Sequence, residues 1–213
     1  MPLVYQQNIN EATKIGIWHI AEAEEYFLRE VPVQREITHP HKRLQHLAGR
    51  VILKELYPDF PYSLIRIADT RKPFLEDEAY HFSISHCGDY AAAIVSNKNR
   101  VGVDIELVTK KTEKVKHKFL SNTEQEYLSA IFNHQHSKEN DQSLTAAWSI
   151  KETLFKWQGV GEVDFIKHLQ IGDITRLSEE NYKAACLLKV SSEIKLDVFF
   201  KFFNDAVLSW CVK

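Results

Sequence analysis

In the run Val101-Gly102-Val103-Asp104-Ile105-Glu106-Leu107 the two carboxylates fall at alternate positions of an otherwise apolar segment. A strand turns successive side chains to opposite faces, so the pattern predicts a strand with Asp104 and Glu106 on one face. Val103, Ile105 and Leu107 then form the other, buried face. Two like charges side by side repel, and a bound divalent cation removes that cost. The same pattern also describes an amphipathic edge strand with a solvated acidic face, so the rest of the chain has to decide between the two.

Periodicity elsewhere mixes helix and strand in both halves. Lys14–Ile20 reads as a strand, and the acidic Ala21–Leu28 suits a helix start. From Pro40 to Leu56 the residues Leu44, Leu47, Val51 and Ile52 recur at helical spacing, and Tyr57-Pro58-Asp59 stops the helix. Leu64–Ile67, Ala79–Ser85 and Tyr90–Ser96 read as strands, with turns at Arg71-Lys72-Pro73 and Cys87-Gly88-Asp89. Beyond the carboxylate strand, Ser121 and Glu124 have capping-box spacing at the start of a helix. Asn133–Gln142 reads as a polar loop, and Leu144–Trp157 as a strong helix ended by Gly159 and Gly161. Ala184–Val190, Ile194–Phe200 and the run around Val207–Trp210 complete a strand-rich tail. The predicted class is α+β, divided into 1–100 and 101–213.

Composition narrows the function classes. With 44% hydrophobic residues in 213, the chain supports a real core, and its formal net charge of −2 lacks the basic footprint of a nucleic-acid binder. Cys87, Cys186 and Cys211 are too few and too widely spaced for a disulfide framework, which points to a reducing compartment. The sequence shows no signal peptide and no apolar run of membrane-spanning length, so the expectation is a soluble cytoplasmic protein.

The second chemistry-bearing block is Trp148-Ser149-Ile150-Lys151-Glu152, continuing to Lys156. Glu152 and Lys156 stand one helical turn apart, a pair that on an exposed surface contributes only ~0.3–0.5 kcal/mol. Here bulky Trp148, Leu154 and Phe155 surround them, and Lys151 adds a second cation beside Glu152. A carboxylate flanked by lysines can accept a hydroxyl proton and neutralise phosphate charge. His86 lies where a strand gives way to a turn, a common place for ligand-facing residues. Arg71 and Lys72, and His41, Lys42 and Arg43, are basic groups able to hold phosphates, and each also reads as an ordinary solvated turn. The lysine-rich run Lys110–Lys118 stands out in a slightly acidic chain and suits an acidic protein partner. The pairs His39/His41 and His134/His136 lack the cysteines or H-E-x-x-H spacing of a zinc site.

Taken in order and spacing, Phe82–Gly88, Val101–Glu106 and Trp148–Lys156 resemble the signature segments of the Sfp-type 4′-phosphopantetheinyl transferases. The likeness extends to Phe119–Glu124 and the Arg71-Lys72-Pro73 turn, covering roughly residues 40 to 165. It implies two similar α+β subdomains related by a pseudo-twofold axis, with residues 1–100 on the coenzyme A side and the metal carboxylates and catalytic helix in 101–213. Coenzyme A and Mg²⁺ would lie between them. The resemblance assigns the metal to Asp104, Glu106 and Glu152, and the catalytic roles to Glu152, Lys156 and Lys151. Coenzyme A falls to Lys72, His86, Lys151, Lys156 and, on a looser pattern around Gly49, Arg43. Val160 in Gln158-Gly159-Val160-Gly161 departs from a frequent lysine of relatives, which leaves one accessory phosphate contact in doubt.

The reaction so implied moves 4′-phosphopantetheine from coenzyme A to a serine of an acidic acyl or peptidyl carrier protein and releases adenosine 3′,5′-bisphosphate. The paired halves imply a monomer, and neither nucleic acid nor membrane is called for. Two alternatives use the same residues: a metal-dependent nucleotide pyrophosphohydrolase, and a non-catalytic module that binds coenzyme A or a carrier protein.

Overall fold

The computed structural model describes residues 3–32, 36–132 and 137–213, so His134 and His136 lie outside the described residues. The chain divides into two units, Met1–Ile105 and Glu106–Lys213, and both mix helices with antiparallel sheet.

In the first unit, β1 (Leu3–Asn10), β2 (Thr13–His19), β5 (His81–Cys87) and β6 (Tyr90–Ser96) form a sheet in the order β1-β2-β6-β5. The helices α1 (Glu24–Glu30) and α2 (Pro40–Leu56), and the short strands β3 (Ile65–Ile67) and β4 (Pro73–Leu75), complete it. Helix α2 begins where His39 accepts the Lys42 amide and Pro40 supplies a pre-set φ at the first turn. It buries Leu47, Ala48, Val51, Ile52 and Leu56 against Trp18, Phe27, Phe82, Ala91, Ala93 and Val95. Burying each such side chain contributes roughly 1.5–3 kcal/mol for the larger residues. The β5–β6 hairpin turns through Gly88, whose φ of 54° favours glycine, and Gln45 Nε2 donates to the Gly88 carbonyl at 2.8 Å. The expected turn at Arg71 is present, with Arg71 at φ 66°, and the residue after it, Lys72, leads directly into β4.

The second unit contains α3 (Lys111–Val115), α4 (Asn122–Ile131), α5 (Ser137–Gln158), β8 (Leu169–Arg176), β9 (Asn181–Lys189), β10 (Glu193–Phe203) and β11 (Ala206–Val212). Its sheet runs β7-β11-β10-β9-β8, where β7 (Val101–Leu107) is the carboxylate strand and crosses the boundary between the units. Ser121 and Glu124 form the anticipated capping box. Helix α5 starts at Ser137, so residues 137–142 are helix and not the loop expected there. Ile150, Leu154 and Trp157 pack with Leu196, Val198, Phe200 and Cys211 in the core of this unit. No helix among the described residues is long and apolar enough to cross a membrane.

Candidate active site

Strand β7 forms where expected, but it does not alternate between a buried and a solvated face: Val101–Ile105 are all buried, and Glu106 and Leu107 are half-buried. Asp104 is only 1% exposed. Within the first unit Ser85 Oγ donates to Asp104 Oδ1 at 2.8 Å, and Ser83 Oγ accepts the Val103 amide at 3.2 Å. Ser83 and Ser85 occupy alternate positions of β5, so one face of that strand braces two successive residues of β7. A buried polar group costs free energy unless it is hydrogen-bonded, and these bonds lower that cost.

In the second unit Glu106 is half-buried and accepts a hydrogen bond from the Trp148 indole at 3.1 Å. Trp148 is itself held among aromatic rings: Phe119 meets it edge-on at 5.1 Å and Phe165 stacks on it at 5.6 Å. One helical turn beyond Trp148 stands Glu152, and one turn further stands Lys156. Trp148, Glu152, Phe155 and Lys156 are the partly exposed stripe of a helix stretch that otherwise buries Ser149, Ile150, Lys151, Thr153 and Leu154. Through Trp148 the structure therefore places this stripe beside Glu106. On the far side of the helix, Ser209 Oγ lies 2.7 Å from Ser149 Oγ and 2.6 Å from Thr153 Oγ1, which fixes α5 on β11.

Lys151 requires a correction. Adjacent helical residues differ by about 100° in direction, so Lys151 cannot share the face of Glu152. Its side chain is 0% exposed and its ammonium lies 2.8 Å from a Glu124 carboxylate oxygen, so the cation expected beside Glu152 is instead the partner of Glu124 in a buried ion pair. Burial pushes the Lys151 ammonium below the ordinary lysine value, and the charge and hydrogen bond of Glu124 oppose that shift.

The remaining expected ligands belong to the first unit. Arg43 forks onto Glu24 with two 2.7 Å bonds and donates to the Ile37 carbonyl at 2.9 Å, an arrangement that ties α2 to α1. The hydrogen bond from Arg43 holds Glu24 below the usual carboxylate range. His86 is exposed near the end of β5, on the face opposite Ser85. Lys72 is half-buried at the β3–β4 turn, where its carbonyl accepts the Ala68 amide at 2.9 Å.

Among the described residues no three histidine, cysteine, aspartate or glutamate side chains stand grouped as a ready metal cage. Sequence reasoning missed the parts of Ser85, Glu124 and Phe165. Only the capping-box spacing of Glu124 gave any sign of them.

The geometry is that of a mixed α/β protein whose acidic strand is hydrogen-bonded to a helix bearing Glu152 and Lys156. Residues 100–211 match the model of the 4′-phosphopantetheinyl transferase superfamily, and the chain belongs to that family. Enterobactin synthase component D of Salmonella austin is 32% identical over 116 residues, covering 54% of this chain and 47% of that protein. Its counterpart in Escherichia coli (strain K12) is 32% identical over 123 residues, 54% of each chain. The L-aminoadipate-semialdehyde dehydrogenase-phosphopantetheinyl transferase of Xenopus laevis is 28% identical over 130 residues, covering 54% of this chain and 43% of that one. The chain thus spans about half the length of these curated relatives.

Proposed function

We propose that this chain transfers 4′-phosphopantetheine from coenzyme A to a serine of an apo acyl or peptidyl carrier protein. The observation that carries the reading is the Trp148–Glu106 hydrogen bond, which sets the carboxylate strand beside the Glu152–Lys156 stripe in a chain of this family. Each unit lays a long helix on an antiparallel sheet, which supports reading them as the paired, pseudo-twofold halves of the family fold.

In this reading Asp104, Glu106 and Glu152 would hold Mg²⁺, which when bound supplies charge neutralisation at the pyrophosphate. Glu152 accepts the proton of the carrier serine as its Oγ forms a bond to the β-phosphorus of coenzyme A. The bond from that phosphorus to the bridging oxygen breaks, and adenosine 3′,5′-bisphosphate leaves with the electron pair. Lys156 stabilises the charge that accumulates on it. Lys72 and His86 are the proposed contacts to the remainder of coenzyme A. Arg43 would join them only by giving up Glu24. The exposed Lys110, Lys111, Lys114 and Lys118 support an acidic carrier as partner. A monomer working in the cytoplasm completes the proposal.

Purified protein incubated with coenzyme A, Mg²⁺ and an apo carrier is expected to add the phosphopantetheine mass to the carrier. No addition across several carriers, with nucleotide released in their absence, would favour the pyrophosphohydrolase instead. Replacing Trp148 with phenylalanine keeps an aromatic ring in the stack but removes the donor to Glu106. A hydrogen bond to a charged group is worth about 1.5–3 kcal/mol, so transfer is expected to fall roughly ten- to a hundredfold with the fold retained. Unchanged kcat/KM in that variant would remove Trp148 from the site.

A further inference from the structure

The Lys151 ammonium has three acceptors within reach: Glu124 Oε1 at 2.8 Å, Glu124 Oε2 at 2.9 Å and the Phe165 carbonyl at 2.9 Å. Glu124 in turn receives the Ser121 amide at 2.8 Å and the Ile171 amide at 2.9 Å. One carboxylate therefore joins the start of α4, the middle of α5 and strand β8. On the other side of this knot, the Phe165 ring stacks on Trp148 with centroids 5.6 Å apart and lies 5.7 Å from Phe155. The Trp148 indole then reaches Glu106. All of these contacts lie inside the second unit and form an unbroken series from a buried ion pair to the carboxylate strand.

We propose that Lys151 is a positioning residue: paired with Glu124, it fixes the backbone at Phe165, whose ring braces Trp148 so that the indole holds Glu106 in one orientation. The inference rests on the transferase reading of the site and replaces the role of phosphate contact expected for Lys151. To reach a phosphate, this lysine would have to break two hydrogen bonds and its ion pair, and strand Glu124 as an uncompensated buried charge. Breaking a buried pair in that way is strongly unfavourable. A lysine suits the position because three donors on one nitrogen can serve a carboxylate and a carbonyl from separate segments at once.

The test compares Lys151→Met, Glu124→Gln and the double variant with the parent protein. Three quantities are read: kcat and KM for coenzyme A in carrier modification, the melting temperature, and the ¹⁵N–¹H indole resonance of Trp148, assigned by its loss in Trp148→Phe. Lys151→Met is expected to lower kcat about ten- to a hundredfold, to leave KM for coenzyme A within about twofold, and to move the Trp148 resonance. Glu124→Gln keeps the shape of the side chain and one of the two acceptor oxygens that serve the Ser121 and Ile171 amides, and it should move the same resonance if Lys151→Met alone fails to fold. The double variant leaves no unpaired charge and is expected to regain most of the lost melting temperature and part of the lost kcat.

A tenfold or greater rise in KM for coenzyme A with the Trp148 resonance unmoved would overturn the proposal and make Lys151 a phosphate ligand. A double variant no better than Lys151→Met would overturn it as well. If the parent protein modifies no carrier, the transferase reading fails. The indole resonance still decides whether Lys151 positions Trp148.

Discussion

Glu152→Gln is expected to lower carrier modification by at least about a thousandfold while the melting temperature stays within a few degrees of the parent. General base catalysis contributes roughly 10²–10⁴-fold, and the same substitution weakens a carboxylate proposed for the metal. The fold should tolerate the change because glutamate and glutamine have nearly equal helix propensity and volume. The rest of α5 is also anchored independently of this side chain. Ser149 and Thr153 hold Ser209 on one side, Ile150 and Leu154 sit in the core, and Lys151 is paired with Glu124. Glu152→Asp is expected to be intermediate, since it keeps the charge on a shorter arm. Carrier modification and circular dichroism melts on both variants check this. A glutamine variant retaining a tenth of parental kcat/KM would exclude Glu152 as the base.

The parts of this structure that could be read from sequence are those with a strong apolar signal between clear stops. Helix α2 and strands β6 and β7 fall on the residues the pattern marks, because each is bounded by turn residues and carries a continuous run of buried side chains, Ala91–Ser96 in β6 and Val101–Ile105 in β7. Strand β1 escaped notice since polar Gln6, Gln7, Asn8 and Asn10 break up its apolar residues and none of Leu3–Asn10 is fully buried; the ladder to β2 holds it, and no amphipathic face announces it. Strand β8 was hidden by Gly172 and Asp173, which interrupt alternation where the register shifts between Ile171 and Ile174. The first turns of α5 looked like a loop because a polar segment carries no periodic signal.

The site divides along the same physical line. Alternation alone put Asp104 and Glu106 on one face, and helical spacing alone grouped Glu152 with Lys156. Long-range partners stayed invisible: nothing in the sequence says that Glu124, 27 positions before Lys151, supplies its counter-charge, or that Ser85 supplies the donor to Asp104. Lys151 was misplaced for that reason. Its charge was legible, and the side of the helix on which it had to be buried was not.

The support behind Asp104 leads to the second large effect. Gly49, in the middle of α2, is buried, and a Cβ added there would lie 2.5 Å from Ile84 Cγ2. That distance is far inside a normal contact, and the obstacle is a β-branched side chain on a strand, with little rotamer freedom to retreat. Alanine at this helical position would gain about 1 kcal/mol in propensity over glycine, yet overpacking of this kind costs typically 1–3 kcal/mol. The expected result for Gly49→Ala is a net loss of stability, and for Gly49→Leu the loss of cooperative folding in the first unit. Any relief must come from β5 moving away from α2. Ser83 and Ser85 ride on the opposite face of β5, so that movement shifts the groups that hold the Val103 amide and the Asp104 carboxylate. Gly49→Ala should therefore lower transfer by more than its stability loss accounts for. Denaturant melts of Gly49→Ala, Ile84→Ala and the double variant measure the clash directly. Removing the Ile84 side chain beyond Cβ, the clashing Cγ2 included, should make the pair less destabilising than the sum of the single changes by about 1 kcal/mol or more, whereas strict additivity would show that α2 and β5 do not press on each other at this point.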